Sequence, residues 1–341
     1  MTNIKKSYPG WDLVLRSLNS RLITLAFSPH RIEVLPLAKE LMEKHDIIIR
    51  EEPKNLLFYE YLEGKVSIEE VLNASDYWFP EFTRESLKCM KELYLKGKTI
   101  LQVEPYFELI NRLYSELEKK GNLEGLLEDP LAREVYEVES RATQRLLQFY
   151  KDSLCPDFTK ILLAVREFAK ADAERFRLRD FLRAKAICDV LPKEGRIYVE
   201  CGTIHLYFRR LLYSFLRGKW QITHEFLLRD FIMKLFNKPC VFSPGELLTL
   251  RYIFRLKEDE EMENLLAARS LIYIKIIPKE ELRPTNNDPF PHAKRELEAI
   301  FLVNRLSFED CKNLYFKLFE VKDSREAKTK VKDYLAKRLC L

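Results

Sequence analysis

The chain has 341 residues, of which 47% are hydrophobic and 33% are charged, and this composition predicts a globular protein that can bury a sizeable core. Its 58 basic and 53 acidic residues leave a net charge of only +5, so charge gives no reason to expect nucleic-acid binding. No apolar run approaches the ~18 residues of a membrane span, and the first residues lack the apolar core of a secretion signal. We therefore expect a cytoplasmic protein without an integral membrane segment.

Cysteine, glycine and glutamine are used in an informative way. The seven cysteines are scattered and form no Cys-x-x-Cys pair, which argues against a zinc ribbon and against a disulfide framework. There are only nine glycines and few glutamines, whereas Lys, Arg and Glu are abundant. This bias resembles the composition of thermophile proteins, in which charge networks are favoured and labile amides are rare.

The first part of the chain alternates between predicted helices and strands. A short helix over 11–20 leads into a buried strand over 21–27, which the turn residues 28–30 end. An apolar stripe over 32–44 predicts a helix, and 46–50 predicts a second strand. Such a βαβ unit brings its two strands together in parallel.

The same pattern continues to the middle of the chain. We predict helices over 56–94, a third strand over 98–103, and an almost wholly helical stretch over 107–190. A fourth strand over 196–201 follows, and it is apolar and rich in β-branched residues. Glu104 follows the third strand and is expected to line a pocket.

Beyond residue 205 the predicted elements are mostly helices. The basic and aromatic stretch 206–236 has helical spacing, and we expect core aromatics there rather than a nucleic-acid surface. Short strands are predicted over 241–244 and 271–277, and 284–291 is the clearest loop. From residue 292 onward we expect helices only.

These elements predict an α/β fold with a central, largely parallel sheet flanked by many helices. An α/β core over residues 1–215 would contain a helical insertion at about 107–190. A mostly helical region over 216–341 would follow, either as a separate unit or as the completion of the same domain.

Gly202 ends the fourth strand and is the only glycine in such an apolar run. A glycine there predicts either a positive φ or a close approach of other groups to the backbone. His205 then lies at the carboxyl end of the strand, which is the edge where open α/β sheets bind ligands. His30 and the pair Glu51 and Glu52 follow the first and second strands, so we expect these side chains to converge.

Two imidazoles and one or two carboxylates suit a divalent metal ion with open coordination positions. The simpler reading is that each histidine is a structural hydrogen-bonding group. Glu200 is also notable, since a carboxylate in an apolar strand is costly unless it is paired. Either an arginine such as Arg179 neutralises Glu200, or Glu200 is a general base with a raised pKa. The neighbouring Cys201 is expected to be an inert small hydrophobic residue.

A family resemblance rests on short motifs. Gly202-Thr203-Ile204-His205 is a full Gly-x-x-His motif, and Arg179-Asp180 precedes it by about one helix length. Phe27-Ser28-Pro29-His30 keeps the histidine of a second such motif but has phenylalanine in place of glycine. Together with the acidic end of the second strand, these motifs resemble the superfamily of TraB and Tiki proteins, haem-binding ChaN proteins and erythromycin esterases. The resemblance covers about residues 20–215.

The resemblance implies a pocket at the strand ends but leaves the reaction open. Tiki-like members are associated with metal-dependent peptide cleavage, esterase-like members activate water without a metal, and ChaN-like members bind haem. We predict a metal-dependent hydrolase of peptide, amide or ester bonds, with a small molecule or a peptide as substrate. A non-catalytic protein that binds haem or another anionic ligand is the alternative, and a homo-oligomer is compatible with either.

Within that prediction each candidate residue has a role. The predicted metal ligands are His30, His205 and one of Glu51 or Glu52, and of these two glutamates we assign Glu52. The predicted catalytic residues are Glu51 and Glu200 for proton transfer, Arg179 for binding substrate or a developing oxyanion, and its neighbour Asp180 in the resembling motif.

Overall fold

The computed structural model describes residues 21–74, 77 and 79–339, so the helix predicted over 11–20 lies outside the described residues. The chain divides into two compact units. The first contains the described residues of 1–108 and 180–239, and the second contains those of 109–179 and 240–341.

A five-stranded sheet with every strand parallel forms the centre of the first unit, and it confirms the predicted α/β fold class. The strand order is β3-β2-β4-β1-β5. The strands are β1 (Arg21–Ser28), β2 (Ile47–Arg50), β3 (Thr99–Gln102), β4 (Gly195–Gly202) and β5 (Gln221–Phe226).

Helices account for most of the remaining described chain. They are α1 (Leu35–Glu43), α2 (Leu56–Glu63), α3 (Ile68–Asn73), α4 (Pro80–Leu95), α5 (Pro105–Lys120), α6 (Pro130–Asp152), α7 (Phe158–Val190), α8 (Leu206–Leu216), α9 (Arg229–Phe236), α10 (Pro244–Ile253), α11 (Glu260–Ile276), α12 (Pro291–Asn304), α13 (Phe308–Leu318) and α14 (Ser324–Leu339). Short 3₁₀ turns occur at Ile32–Val34 and Leu126–Glu128. Within the described residues, no helix is both long and apolar enough to cross a membrane.

Both faces of the sheet are covered, which explains why its inner strands read as continuous apolar runs. On one face, Val199 and Cys201 of β4 pack in a core with Ile187 of α7 and Phe208 of α8. On the other face, Tyr198 packs in a core to which α1, α2 and α4 contribute. Successive side chains of β4 therefore enter the cores on opposite faces of the sheet. The carboxyl end of β4 lies between these two cores.

The strand predicted over 271–277 is wrong, because residues up to Ile276 belong to α11. This helix packs against α10, α12, α13 and α14 in the core of the second unit. A helix that is buried on several sides is apolar all round and loses the helical period that would identify it. The strand predicted over 241–244 is also wrong, since α10 begins at Pro244 and Ser243 caps it by accepting a hydrogen bond from the Glu246 N–H.

The edge strand β5 was missed, because helical spacing was predicted throughout 206–236. It pairs in parallel with β1, from Leu22 opposite Gln221 to Phe27 opposite Phe226. His224 and Glu225 are exposed on this strand. Polar and charged residues are common on edge strands, and they hid the strand pattern here.

Candidate active site

His205 lies where β4 passes into α8, and a tight turn holds it there. The backbone N–H of His205 donates to the carbonyl oxygen of Gly202 at 3.1 Å. Its side chain is only 4% exposed, with Nδ1 2.5 Å from Oδ1 of Asp180 and Nε2 2.8 Å from Oε1 of Glu51. Carboxyl oxygens thus face both ring nitrogens. Both contacts are hydrogen bonds only if the ring carries two protons or one carboxyl group keeps its own.

Asp180 joins α7 to the start of α8. Its second oxygen accepts a hydrogen bond from the Phe208 N–H at 2.9 Å. No side chain at the N-cap position of α8 makes a capping hydrogen bond, so Asp180 takes over that role from a different helix. The predicted catalytic residue Asp180 is therefore a buried orienting group for His205 and for the helix that follows it.

Glu51 follows β2 directly and turns its carboxyl group toward the end of β4. Its Oε2 accepts a hydrogen bond from the Gly202 N–H at 2.6 Å, while Oε1 faces His205. The sequence therefore correctly suggested that the ends of β2 and β4 meet. The contact is with Glu51, whereas Glu52 points elsewhere.

Gly202 is required by close approach and does not have a positive φ. A Cβ atom on this residue would lie 3.1 Å from Cδ2 of His205 and 3.6 Å from Cε1 of His30. The first distance is tighter than ordinary van der Waals contact. These two distances show that both imidazoles flank Gly202, so the two motif histidines lie side by side at the strand ends.

Arg183 is the central residue that the sequence analysis missed. Its side chain is 1% exposed, and its guanidinium donates to the carbonyl oxygens of Val103 at 3.0 Å and Glu200 at 2.7 Å. Nη1 lies 3.3 Å from Oε2 of Glu51, and Nε lies 3.8 Å from Oε2 of the fully buried Glu104. Arg183 thus ties together the carboxyl ends of β2, β3 and β4.

The helical spacing contained a signal for Arg183. It lies three residues after Asp180, so both project from one face of α7, whereas Arg179 points about 100° away. Arg179 belongs to the second unit, where its positive charge acts on Asp172. Burial raises the pKa of Asp172, and Arg175 and Arg179 oppose that rise.

The alternative in which Glu200 is a general base with a raised pKa is wrong in the direction of the shift. Burial alone would raise the pKa of Glu200, but Arg50, His30 and the N–H of Glu51 outweigh burial and lower it. Oε2 accepts from that N–H at 3.2 Å and lies 3.5 Å from Nε of Arg50. The neutralising arginine is therefore Arg50, and Glu200 is an ionised carboxylate.

His30 is the most accessible histidine of the cluster. Its backbone has a φ of 44°, in the left-handed region that residues other than glycine seldom adopt. The side chain is 33% exposed, Nε2 lies 3.8 Å from Oε1 of Glu200, and the ring centre lies 5.9 Å from that of Phe82. The turn after β1 thus directs a half-buried imidazole at an ionised carboxylate.

The three predicted metal ligands do not form a chelating set. Both nitrogens of His205 face carboxyl oxygens, and Glu52 contacts Arg50 at 2.7 Å and Gln102 at 2.9 Å. Within the described parts of the chain, no group of three or more His, Cys, Asp and Glu side chains is arranged to hold a metal ion. His205 and Glu52 are thus already engaged with other protein groups, and the divalent ion stays a prediction.

Cys201 is buried on the far side of β4 from Glu200. Burial raises the pKa of its thiol well above the ordinary value, and the thiol contacts the carbonyl oxygen of Val199. A neutral, enclosed thiol is a poor nucleophile. This agrees with the expected role of Cys201 as a small apolar residue.

The lowered pKa of Glu200 predicts a pH-dependent contribution to stability. A folded-state pKa below the unfolded value of about 4.5 stabilises the fold above that pH and loses the effect as the pH falls through the folded value. Glu200→Gln should lower the free energy of unfolding by about 1–3 kcal/mol at neutral pH. This difference from wild type should shrink below pH 4.5, as measured by urea unfolding at several pH values.

Glu52→Gln is the matched control, because Glu52 also contacts Arg50 but its side chain is 36% exposed. Its loss of stability at neutral pH should be the smaller of the two. A Glu200→Gln deficit that is the same at pH 7 and at pH 3 would contradict the ionised state assigned to Glu200.

Comparison with known proteins gives one informative relative. An uncharacterized protein of Archaeoglobus fulgidus is 30% identical over 297 residues, which cover 86% of this chain and 98% of that protein. Its source is a thermophilic archaeon, in keeping with the thermophile-like composition. No protein-family model and no solved structure matches the chain.

Proposed function

The chain belongs to one family with the Archaeoglobus fulgidus protein, and we propose that it is a hydrolase in which His30 activates water for attack on an ester or amide bond. The observation that carries the proposal is the contact between the half-buried His30 ring and the ionised Glu200 carboxylate. Nε2 of His30 lies 3.8 Å from Oε1 of Glu200. A general base must be reachable by water and must keep its positive form stable after it takes a proton. The 33% exposure of the His30 side chain meets the first condition, and the Glu200 carboxylate lies beside the ring as a negative counter-charge.

The buried residues beside His30 have a positioning role in this proposal. Asp180, His205 and Glu51 form a hydrogen-bonded chain whose far end holds the Gly202 N–H. Gly202 is in turn the residue against which the His30 ring lies. This chain fixes the backbone beside the reacting group, much as a buried aspartate orients the histidine of a catalytic triad.

The backbone of His30 supports a functional reading of this residue. A left-handed conformation in a non-glycine residue costs roughly 1–3 kcal/mol, and such strain is concentrated at functional sites. A purely structural histidine in this chain is arranged differently. His45 is 1% exposed and contacts the Leu41 carbonyl oxygen and the Thr24 hydroxyl, with ordinary backbone geometry.

The proposal is tested with a panel of p-nitrophenyl esters and chromogenic amides. His30→Ala should lower kcat/KM by about 10²- to 10⁴-fold, which is the usual contribution of a general base. His224→Ala is the matched control, since His224 is exposed on the edge strand and outside the cluster. Equal rates for wild type and His30→Ala on every hydrolysed substrate would refute the assignment.

Two further measurements separate the other activities implied by the resemblance. Activity that is lost on chelation and restored by a divalent ion would favour the metal-dependent form. A haem absorption band that appears on addition of haem and is absent in His30→Ala would favour the ligand-binding alternative. The proposal expects activity that resists chelation.

A further inference from the structure

We propose that the first unit has a second ligand site, at the opposite edge of the sheet from His30 and His205, which binds a small planar aromatic anion. This inference is independent of the proposed hydrolase activity, since none of the residues on which it rests belongs to the cluster at the strand ends.

The site lies where strands begin. Leu191 and Pro192 precede β4, and Lys219 and Trp220 precede β5, so these residues lie at the amino-terminal edge of the parallel sheet. Between them, the last third of α7 and the last turn of α8 is a hollow of about 530 Å³. Ligand pockets commonly have volumes of about 300–1,000 Å³, so a ring system with one substituent would fit.

Aromatic and aliphatic side chains form most of its wall. Phe181 and Phe215 are 43% and 38% exposed, although their rings meet edge to face with centres 6.1 Å apart. Leu191 and Trp220 also line the hollow and pack on the buried core beneath it. Rings held in this way present both a face and an edge to a third ring, and aromatic contacts of either kind are favourable.

The charged groups at the rim favour an anion. Lys185 and Lys219 are exposed, and neither side chain has an ion-pair partner in the described part of the chain. Asp189 is the one acidic residue of the lining, so the lining has a net charge of +1. Burial raises the pKa of the Cys188 thiol, Asp189 raises it further and Lys219 opposes them, so this thiol is neutral and leaves the positive balance intact.

Ring and charge together define the class of ligand. A neutral aromatic molecule would fill the hollow but leave both ammonium groups unpaired, and a cation would be repelled by them. An inorganic anion would pair with the lysines but leave the solvent-exposed parts of Phe181, Phe215 and Trp220 uncovered. A planar aromatic carboxylate or monophosphate satisfies both requirements.

Isothermal titration calorimetry on the full chain tests the proposal with three probes of the same shape. These are 2-naphthoate, 2-naphthyl phosphate and the neutral 2-naphthalenemethanol. We expect one site per chain for at least one anion and at least tenfold weaker binding of the alcohol. The preferred anion distinguishes a carboxylate ligand from a phosphate ligand.

The double variant Lys185→Ala, Lys219→Ala should bind the preferred anion at least tenfold more weakly than wild type. Both lysines are exposed, so the fold should be retained, and an unchanged melting temperature checks this. Lys234→Ala is the control, as an exposed lysine of α9 outside the lining. Equal binding of acid and alcohol, equal affinity in the double variant, or no binding of either anion at millimolar concentration would each overturn the proposal.

Discussion

Arg183→Met is expected to lower the free energy of unfolding by about 3–5 kcal/mol, which is the usual cost of removing one partner from a buried ion pair. Methionine has a similar length and leaves little cavity, so the loss reports on the charge and its hydrogen bonds. Without the guanidinium, Glu51 loses one partner and the wholly buried Glu104 loses its ionic contact with Arg183, while two strand-end carbonyl oxygens lose their donors. Urea unfolding at neutral pH measures the effect.

Arg84→Met is the control for Arg183→Met. Arg84 pairs with Glu69 at the surface of the same unit, and solvent-exposed pairs of this kind contribute little to stability. A second check is the double variant Arg183→Met, Glu104→Gln, which removes one buried charge together with its partner. The double variant should lose less free energy of unfolding than Arg183→Met and Glu104→Gln lose in sum. If Arg183→Met is no more destabilising than Arg84→Met, Arg183 does not hold the strand ends together.

The convergence of His30, Glu51 and His205 could be predicted because it depends on sheet topology. Carboxyl ends of parallel strands share one edge, so polar residues that follow β1, β2 and β4 must come close. The closeness of the two histidines to Gly202 follows from the same logic, since a scarce glycine in an apolar run signals close approach. Topology alone therefore located the cluster.

The pairing inside the cluster could not be predicted, because it depends on the rotation of α7 and on side-chain directions. Glu51 and Glu52 are adjacent, yet one turns to His205 and the other to Arg50 and Gln102. Arg179 and Asp180 were proposed together, but adjacent helical positions point about 100° apart, and Arg183 shares the face of Asp180. The sequence also indicated that Glu200 needed a partner, whereas the sign of its pKa shift required the position of Arg50.

The degree of burial explains two errors in the predicted secondary structure. The apolar run ending at Ile276 has no visible helical period because α11 contacts helices on several sides. The strand β5 was missed for the opposite reason, because it is exposed. Its exposed His224 and Glu225 give this edge strand the polarity of a surface helix. In both cases tertiary surroundings overrode the local pattern.

Asp180→Asn is expected to leave the fold intact and to change the hydrogen-bonding state of His205. An asparagine can still accept the Phe208 N–H through its carbonyl oxygen, so its NH₂ group would then face Nδ1 of His205. A donor opposite Nδ1 forces that nitrogen to act as an acceptor, and the ring proton moves to Nε2, beside Glu51. In a catalytic triad, the same change on the orienting aspartate costs about 10⁴-fold in kcat through the wrong tautomer.

For Asp180 we expect a smaller loss of activity, about 10²-fold, because His205 acts on the reacting group only through Glu51 and Gly202. The direct readout is the ¹⁵N chemical shift of His205, which should show a protonated Nδ1 in wild type and an unprotonated Nδ1 in the variant. The free energy of unfolding should fall by about 1.5–3 kcal/mol, the range for a hydrogen bond to a charged group.

Asp189→Asn is the matched control for Asp180→Asn, since it makes the same change on an exposed residue of the same helix. It should alter neither the ¹⁵N shift of His205 nor the hydrolytic rate. An unprotonated Nδ1 in wild type would contradict the role of Asp180 as the acceptor that orients the ring. A tautomer change without any loss of activity would show that His205 stabilises the strand ends but does not position His30. In that case Gly202 would hold its place without the Asp180–His205–Glu51 chain.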